Sequence, residues 1–313
     1  MIDTALILAA GRGSRLKEVT ATRSKAMAPI AGKPIIGRVI DALRNAGLSR
    51  FIVIGAPHDS ELRTYCSTIP GTNLLVQEKP LGSGDALKVA ANLAPERFIV
   101  CACDSLIPSA DIKELVARHA PDSIATLSII EVDPSLSLGA RSVVAVHDDR
   151  VIDFVEKPKE SERMSNLSSL PLYVLTKDIF SDLARLSPSP RGEYELPEIF
   201  REYIRTGRIV RAVRASNRFD LTDQRDLLAL NERFLKELMP DRQIHPSVTI
   251  HPSAVIHAPV LIEEGVVLKA NTTVGPFVYI ERNAVIESGH QISHAVVLRG
   301  ATVTKDEKNS VVV

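Results

Sequence analysis

Two different periods of hydrophobic residues divide this chain. From about residue 3 to 235, short apolar runs alternate with amphipathic stretches. Residues 4–9, 51–54 and 98–102 are continuous β-rich runs, the pattern of strands buried on both faces. Between the first two, Pro34 opens a helical pattern with Ile35, Ile36, Val39, Ile40 and Leu43 on one side, and Gly47 follows its end. Strand, helix, strand in this order predicts parallel pairing and an α/β layered domain. Ligands of such sheets sit at the carboxyl ends of the strands. The loops that matter are therefore those after Ala9, Ala56 and Ala102.

The tail obeys a different period. Ile244, Ile250, Ile256, Ile262, Leu268, Val274, Ile280, Ile286, Ile292 and Leu298 recur every six residues. A helical period of 3.6 does not produce a strict six, and simple strand alternation would not single these positions out. The hexapeptide repeat predicts a short parallel β-helix of about three coils, with the recurring aliphatic residue filling the axis. Pro246, Pro252 and Pro259 are expected in its turns. A polar linker near residues 239–243 separates two expected domains, residues 1–238 and 239–313, and a helix over 223–238 leads into it.

Lys and Arg total 38 and Asp and Glu total 38, so the formal net charge is zero. That removes the bulk electrostatic case for nucleic-acid binding and leaves any phosphate chemistry to local charge placement. Cys66, Cys101 and Cys103 do not make an even framework and are expected to be buried thiols. No apolar run has the length to span a bilayer, and the amino terminus reads as a first strand rather than a signal peptide. No membrane partner and a cytoplasmic location are expected.

After the first strand come Gly11, Gly13, Ser14 and Arg15, then Lys25 and a Gly-Lys-Pro at Gly32 to Pro34. A glycine-rich turn brings backbone N–H groups close to phosphate oxygens, and Arg and Lys add charge-assisted bonds. Alone the turn is ambiguous between a phosphate cradle and a structural bend. It lacks the third glycine of a dinucleotide fingerprint, where Leu16 stands, and the Gly-Lys-Ser/Thr of a Walker loop.

The whole run LILAAGRGSRLKEVTATRSKAMAPIAGKPII resembles the signature of sugar-1-phosphate nucleotidylyltransferases. The resemblance continues in order through Gln77 with PLGSGDAL, VCACDSL, VIDFVEKP, GEYELPEIF and FDLTDQRDLLALN. It implies a Rossmann-like nucleotidyltransferase domain with a mostly parallel sheet, followed by a left-handed β-helix. It also implies nucleotidyl transfer from a nucleoside triphosphate, UTP or dTTP favoured, to a sugar 1-phosphate, with release of pyrophosphate and Mg²⁺ as cofactor. Carried over by position, Ala10, Gly11, Gly13, Gln77, Gly82 and Ser83 would hold the nucleotide. Arg15, Lys25 and Lys157 would be catalytic, Glu156 and Ser169 would meet the sugar, and Asp104 and Asp220 would bind the metal.

Charge supports these roles. A sugar phosphate with about two negative charges must approach an α-phosphate carrying one. At about 4 Å and an effective dielectric near 20, each unit pair repels by about 4 kcal/mol, so the approach costs about 8 kcal/mol before compensation. Arg15, Lys25, Lys157 and a metal between carboxylates would supply the counter-charge. The Gln77 amide offers a donor and an acceptor in one plane, which suits the imide edge of uracil or thymine. The ionised phosphate needs no general base.

Several positions depart from the family pattern. Cys103 stands where Gly is usual before the metal Asp, Ser142 where Gly is common, Ser169 and Pro171 in a rearranged sugar-side strand, and Thr222-Asp223 in place of Gly-Thr. Most of these fall on the sugar side, which leaves open a non-catalytic paralogue that senses sugar nucleotides. A third reading, acyl transfer by the β-helix, rests on His245, His251, His257, His290 and His294, but the repeat is short and has no inserted loop. The tail is expected to contribute to a homo-oligomer.

Overall fold

A computed structural model describes residues 2–11, 13–133, 135, 141–189 and 192–313. The chain forms two compact units, one of Met1–Arg12 with Val39–Arg218 and the other of Gly13–Arg38 with Phe219–Val313. These units do not coincide with the division by sequence pattern at 238/239.

In the first unit, nine strands of the described residues form one sheet. They are β1 (Thr4–Leu8), β2 (Arg50–Gly55), β3 (Thr72–Val76), β4 (Arg97–Ala102), β5 (Ala125–Glu131), β6 (Ser142–His147), β7 (Arg150–Glu156), β8 (Leu167–Thr176) and β9 (Val210–Arg214). The spatial order is β3-β2-β1-β4-β8-β5-β9-β7-β6, with β6 also pairing β8. β1 to β6 and β9 run one way, β7 and β8 the other. Most strands thus point one way, but β7 and β8 bring antiparallel pairing into the sheet, which is mixed. The three apolar runs read as buried strands are β1, β2 and β4, paired in parallel with β1 in the middle.

Helix α1 (Ile35–Asn45) buries Ile35, Ile36, Val39, Ile40 and Leu43, as its period requires. Gly47 follows at φ +101 and donates its N–H to the Arg44 carbonyl at 2.9 Å, a left-handed stop that glycine permits. A second helix matters for the site. Leu196, Ile199, Phe200 and Tyr203, one face of the helix Leu196–Arg205, are all buried. Phe200 meets Tyr173 and Phe154 edge-on, with centroids 4.9 and 5.8 Å away. Burial of a side chain of this size contributes about 2–3 kcal/mol, so the start of this helix is firmly seated on the sheet.

In the second unit the hexad repeat winds as parallel strands. Ile244 pairs with Ile262 and Ile262 with Ile280, eighteen residues apart, and Ile250, Leu268 and Ile286 form the next face in the same way. Three hexads therefore close one coil, consistent with the expected left-handed β-helix. The last coil departs. Ile280 pairs with Val297, not Leu298, because the corner between Ile292 and Ala295 is one residue shorter than the corner below it. Val297 takes the inward slot in the core, and Leu298 is buried outside that cluster.

The helix leading into the tail spans Gln224–Leu238, with Leu227, Leu230 and Leu235 buried and Leu238 exposed. It lies against the tail strands Val278–Ile280, Gln291–Val297 and Glu307–Val312. Among the described residues, no helix is long and apolar enough to cross a membrane.

Candidate active site

The carboxyl ends of β1 and β4 lie side by side in the first unit. The Ala9 N–H bonds the Ile54 carbonyl at 2.8 Å, and the Cys103 N–H bonds the Leu8 carbonyl at 3.1 Å. These bonds carry the sheet past its last residues and set Ala10, half-buried, and Gly11, exposed, beside the chain that enters Asp104. Asp104 is half-buried there. Cys101 and Cys103 are buried free thiols, as is Cys66. Burial, and then the nearness of Asp104, push the Cys101 thiol up to about 12, which keeps it protonated and unreactive near neutrality.

Gln77 follows β3 and is 4% exposed. Its backbone N–H bonds the Gly55 carbonyl at 2.9 Å. Its side-chain Nε2 donates to Asp85 Oδ2 at 2.8 Å and to the Gly82 carbonyl at 3.2 Å. Both neighbours are pure acceptors, so they fix which end of the amide is nitrogen. The expected donor-and-acceptor edge is therefore half used: the amide hydrogens are spent internally, and the carbonyl oxygen remains to accept.

Residues 81–84 are laced to the segment before the helix Leu196–Arg205. The Tyr194 N–H bonds the Leu81 carbonyl, and the Gly84 N–H bonds the Tyr194 carbonyl, both at 2.7 Å. Ser83 Oγ accepts the Leu196 N–H at 3.0 Å. Gly82 stands at φ +110, and a Cβ there would come within 2.6 Å of the Tyr194 carbonyl oxygen. Both the dihedral and the close approach demand glycine.

Among the strands that carry the expected sugar contacts, Ser142 of β6 lies opposite Glu156 of β7 and opposite Ser169 of β8. Directly opposed residues share a face, and the Ser142 hydroxyl donates to the Glu156 carboxylate. Ser169 is buried, and so is Tyr173, whose ionisation is pushed up by burial and then by Glu156. Lys157, at φ +50, holds Nζ 3.8 Å from Glu156 Oε1 and 3.9 Å from Glu195 Oε1. The structure thus brings Glu156, Lys157 and Ser169 into one neighbourhood.

In the second unit, Gly13 and Lys25 come together. Gly13 stands at φ +62, and a Cβ on it would lie 2.9 Å from Lys25 Cβ. Lys25 thus packs directly on the glycine turn, and Arg15, exposed, follows in the 3-10 turn Ser14–Leu16. Arg12 and the side chain of Ser14 lie outside the described residues.

Asp220, half-buried, sits in the short strand Phe219–Asp220 of the second unit. Carboxylate oxygens are the donors Mg²⁺ prefers, and it commonly takes one or two from protein with the rest from water and phosphate. Asp104 and Asp220 fit that chemistry. Among the described residues, no group of three or more His, Cys, Asp and Glu forms a metal cage.

Two departures acquire reasons. Asp223 caps the helix Gln224–Leu238, accepting the N–H groups of Arg225 and Asp226, while the Asp226 carboxylate bonds back to the Asp223 N–H. Asp223 and Asp226 therefore form a capping box. Pro171 lies where the pairing of β8 with β5 shifts register, between Ser169 and Tyr173. A bulge is where a strand tolerates proline without losing a ladder bond.

The profile of the family described as nucleotidyl transferase matches residues 4–237. The chain belongs to that family. A bifunctional protein GlmU of Methanococcus maripaludis is 30% identical over 86% of this chain and 62% of its own length. The chain spans less than two thirds of the length of the GlmU relative it matches. A glucose-1-phosphate thymidylyltransferase of Streptomyces griseus is 27% identical, covering 96% of the chain and 88% of the relative. A UDP-glucose pyrophosphorylase, solved with UDP-glucose, superimposes with a TM-score of 0.68 and 23% identity over 76% of the chain and all of its own. That likeness establishes the nucleotidyltransferase fold.

Two residues of the chain enter the candidate site without having been singled out in its sequence. Asp85 orients Gln77, and Glu195, 7% exposed, faces Lys157. Both lie inside motifs that the sequence displays, PLGSGDAL and GEYELPEIF. A carboxylate inside such a motif was the available signal.

Proposed function

We propose that the chain transfers a nucleotidyl group from a nucleoside triphosphate to a sugar 1-phosphate, releasing pyrophosphate by Mg²⁺-assisted in-line displacement. The reaction is assigned to residues 1–238, with 239–313 as the β-helical domain. The observation that carries this reading is the seating of Lys25 on Gly13, with Arg15 two residues further along the turn. Cationic side chains beside a glycine turn can add charge-assisted bonds to the backbone N–H groups that a phosphate would meet there.

Arg15 and Lys25 hold the triphosphate and stabilise the charge that moves onto departing pyrophosphate. Ala10, Gly11, Gly13 and Ser83 line the nucleotide. The Gln77 carbonyl accepts the imide N–H of uracil or thymine, and Gly82 lets the backbone come close to the base. Lys157 meets the sugar phosphate, while Glu156 and Ser169 take sugar hydroxyls. Asp104 and Asp220 would each offer carboxylate oxygens to Mg²⁺, which would supply positive charge to the reacting phosphates. Catalysis is then positioning plus electrostatics.

A second reading, a non-catalytic sensor of sugar nucleotides, has one observation in its favour. Lys157 is flanked by two carboxylates within 4 Å, which offsets the charge it would give a phosphate. Pyrophosphate release separates the readings: UTP, dTTP, CTP, ATP and GTP are each offered with a panel of sugar 1-phosphates and Mg²⁺. Release with any pair supports transfer. Tight triphosphate binding with no release from any pair overturns it in favour of the sensor.

A further inference from the structure

The segment that carries Arg15 and Lys25 is fastened to the β-helical tail. Arg23, two residues before Lys25, forks onto Glu281 with Nη1 2.7 Å from Oε1 and Nη2 2.9 Å from Oε2. Both residues are buried, at 8% and 7% exposure. Glu281 Oε2 also accepts the Arg299 N–H at 2.9 Å, and Arg299 Nη2 donates to the Thr22 carbonyl at 3.0 Å. The main chain and the side chain of 22–23 are therefore both held by the tail.

A second fastening lies beyond Lys25. Asn231 accepts the Ala31 N–H at 2.7 Å and donates to the Pro29 carbonyl at 3.0 Å. Gly32, at φ +77, passes so close to Leu261 that a Cβ would lie 2.9 Å from its Cδ2. Lys25 sits between these two anchors.

A buried ion pair is a poor source of net stability, because desolvation offsets most of the attraction; its distinctive property is directional geometry. Arg23 bears this out. Its Nε is buried with no hydrogen-bond partner among the described residues, so the guanidinium is committed to Glu281 at the expense of its own full satisfaction. The pair also neutralises a cation that would otherwise repel Lys25 two residues away.

We propose that Glu281, acting through Arg23, is a positioning residue that fixes Lys25 for the triphosphate, so that the β-helix is part of the nucleotide-binding apparatus. This rests on the nucleotidyl-transfer reading. Arg23 and Glu281 are assigned no contact with substrate. They hold the loop that carries Lys25, and a displacement of about 1 Å at a phosphate ligand is enough to lose much of its effect.

The test uses the full chain with steady-state kinetics in each substrate and thermal melting. Glu281→Gln removes the charge while keeping the shape. The double variant Arg23→Met with Glu281→Leu fills the volume without leaving a buried charge unpaired, and so protects the test against simple misfolding. In either folded variant the KM for UTP or dTTP is expected to rise by about tenfold or more, with the KM for the sugar phosphate within about twofold of the parent. Glu281→Asp should recover part of the loss. A folded variant with unchanged triphosphate KM and a lowered melting temperature would make the pair merely structural and overturn the proposal. Failure of both variants to fold would overturn it in the same sense. If the parent itself releases no pyrophosphate with any substrate pair, the transfer reading fails first.

Discussion

Gln77 and Asp85 are joined by a 2.8 Å hydrogen bond from the amide nitrogen to the carboxylate, and this sets the polarity that a base would meet. With its nitrogen turned inward, Gln77 presents an acceptor, which matches the N3–H of uracil or thymine and opposes the bare N3 of cytosine. Asp85→Asn would let the amide turn over, because asparagine offers either a donor or an acceptor. The ratio of kcat/KM for UTP over CTP is expected to fall by about tenfold, as befits one buried hydrogen bond. An unchanged ratio would remove Gln77 from base selection.

Gly82→Ala should be costly. The new Cβ would meet Tyr194 backbone atoms at 2.6 and 2.8 Å, and backbone cannot swing aside as a flexible side chain does. The positive φ adds strain of its own. A loss of about 2–4 kcal/mol is expected by denaturant titration, together with weakened triphosphate binding. A stability within about 0.5 kcal/mol of the parent would contradict the close approach.

Asp104→Asn keeps the volume of the side chain and removes its charge. Turnover should fall by about a hundredfold or more, with the far-ultraviolet dichroism unchanged, since a metal-held phosphate charge is worth several kcal/mol. A variant that remains active at normal Mg²⁺ would sink the metal assignment.

His119 should make the fold acid-sensitive. Burial, and then the Arg97 charge, lower its pKa to about 4, against a smaller opposing pull from Asp122. Its Nδ1 lies 2.8 Å from Thr126 Oγ1. The unfolded chain takes up this proton near 6.5 and the folded chain only near 4, so the stabilisation is complete above about 6.5 and is lost as pH falls toward 4. The window holds on the order of 3 kcal/mol. Urea midpoints between pH 7 and 4 should show this slope, and His119→Gln should flatten it. An equal slope in the variant would assign the sensitivity elsewhere.

Much of the architecture was legible before folding was considered. The runs around residues 4–9, 51–54 and 98–102 became the central parallel strands because such continuous apolar runs need cover on both faces. The hexad became the eighteen-residue coil because three short strands must each point one aliphatic residue at a common axis. It misplaced Leu298, since a corner shortened by one residue leaves no mark on the spacing of the apolar letters themselves. The glycine turn could be read only as a candidate cradle. The packing of Lys25 against Gly13, invisible in the sequence, is what the fold adds in support of that reading.

What the sequence determined by itself is periodicity: which residues face a core, where strands and helices begin, and which motif letters stand in order. Those are local properties, written in the spacing of neighbours. Only the tertiary structure decided which charges meet. Arg23 and Glu281 are 258 positions apart, and Lys157 finds Glu195 across a turn of chain that carries no pairing signal. Any arginine suits any glutamate in composition. A buried partner is chosen by the packing that removes water from both, and that packing exists only once the chain has folded.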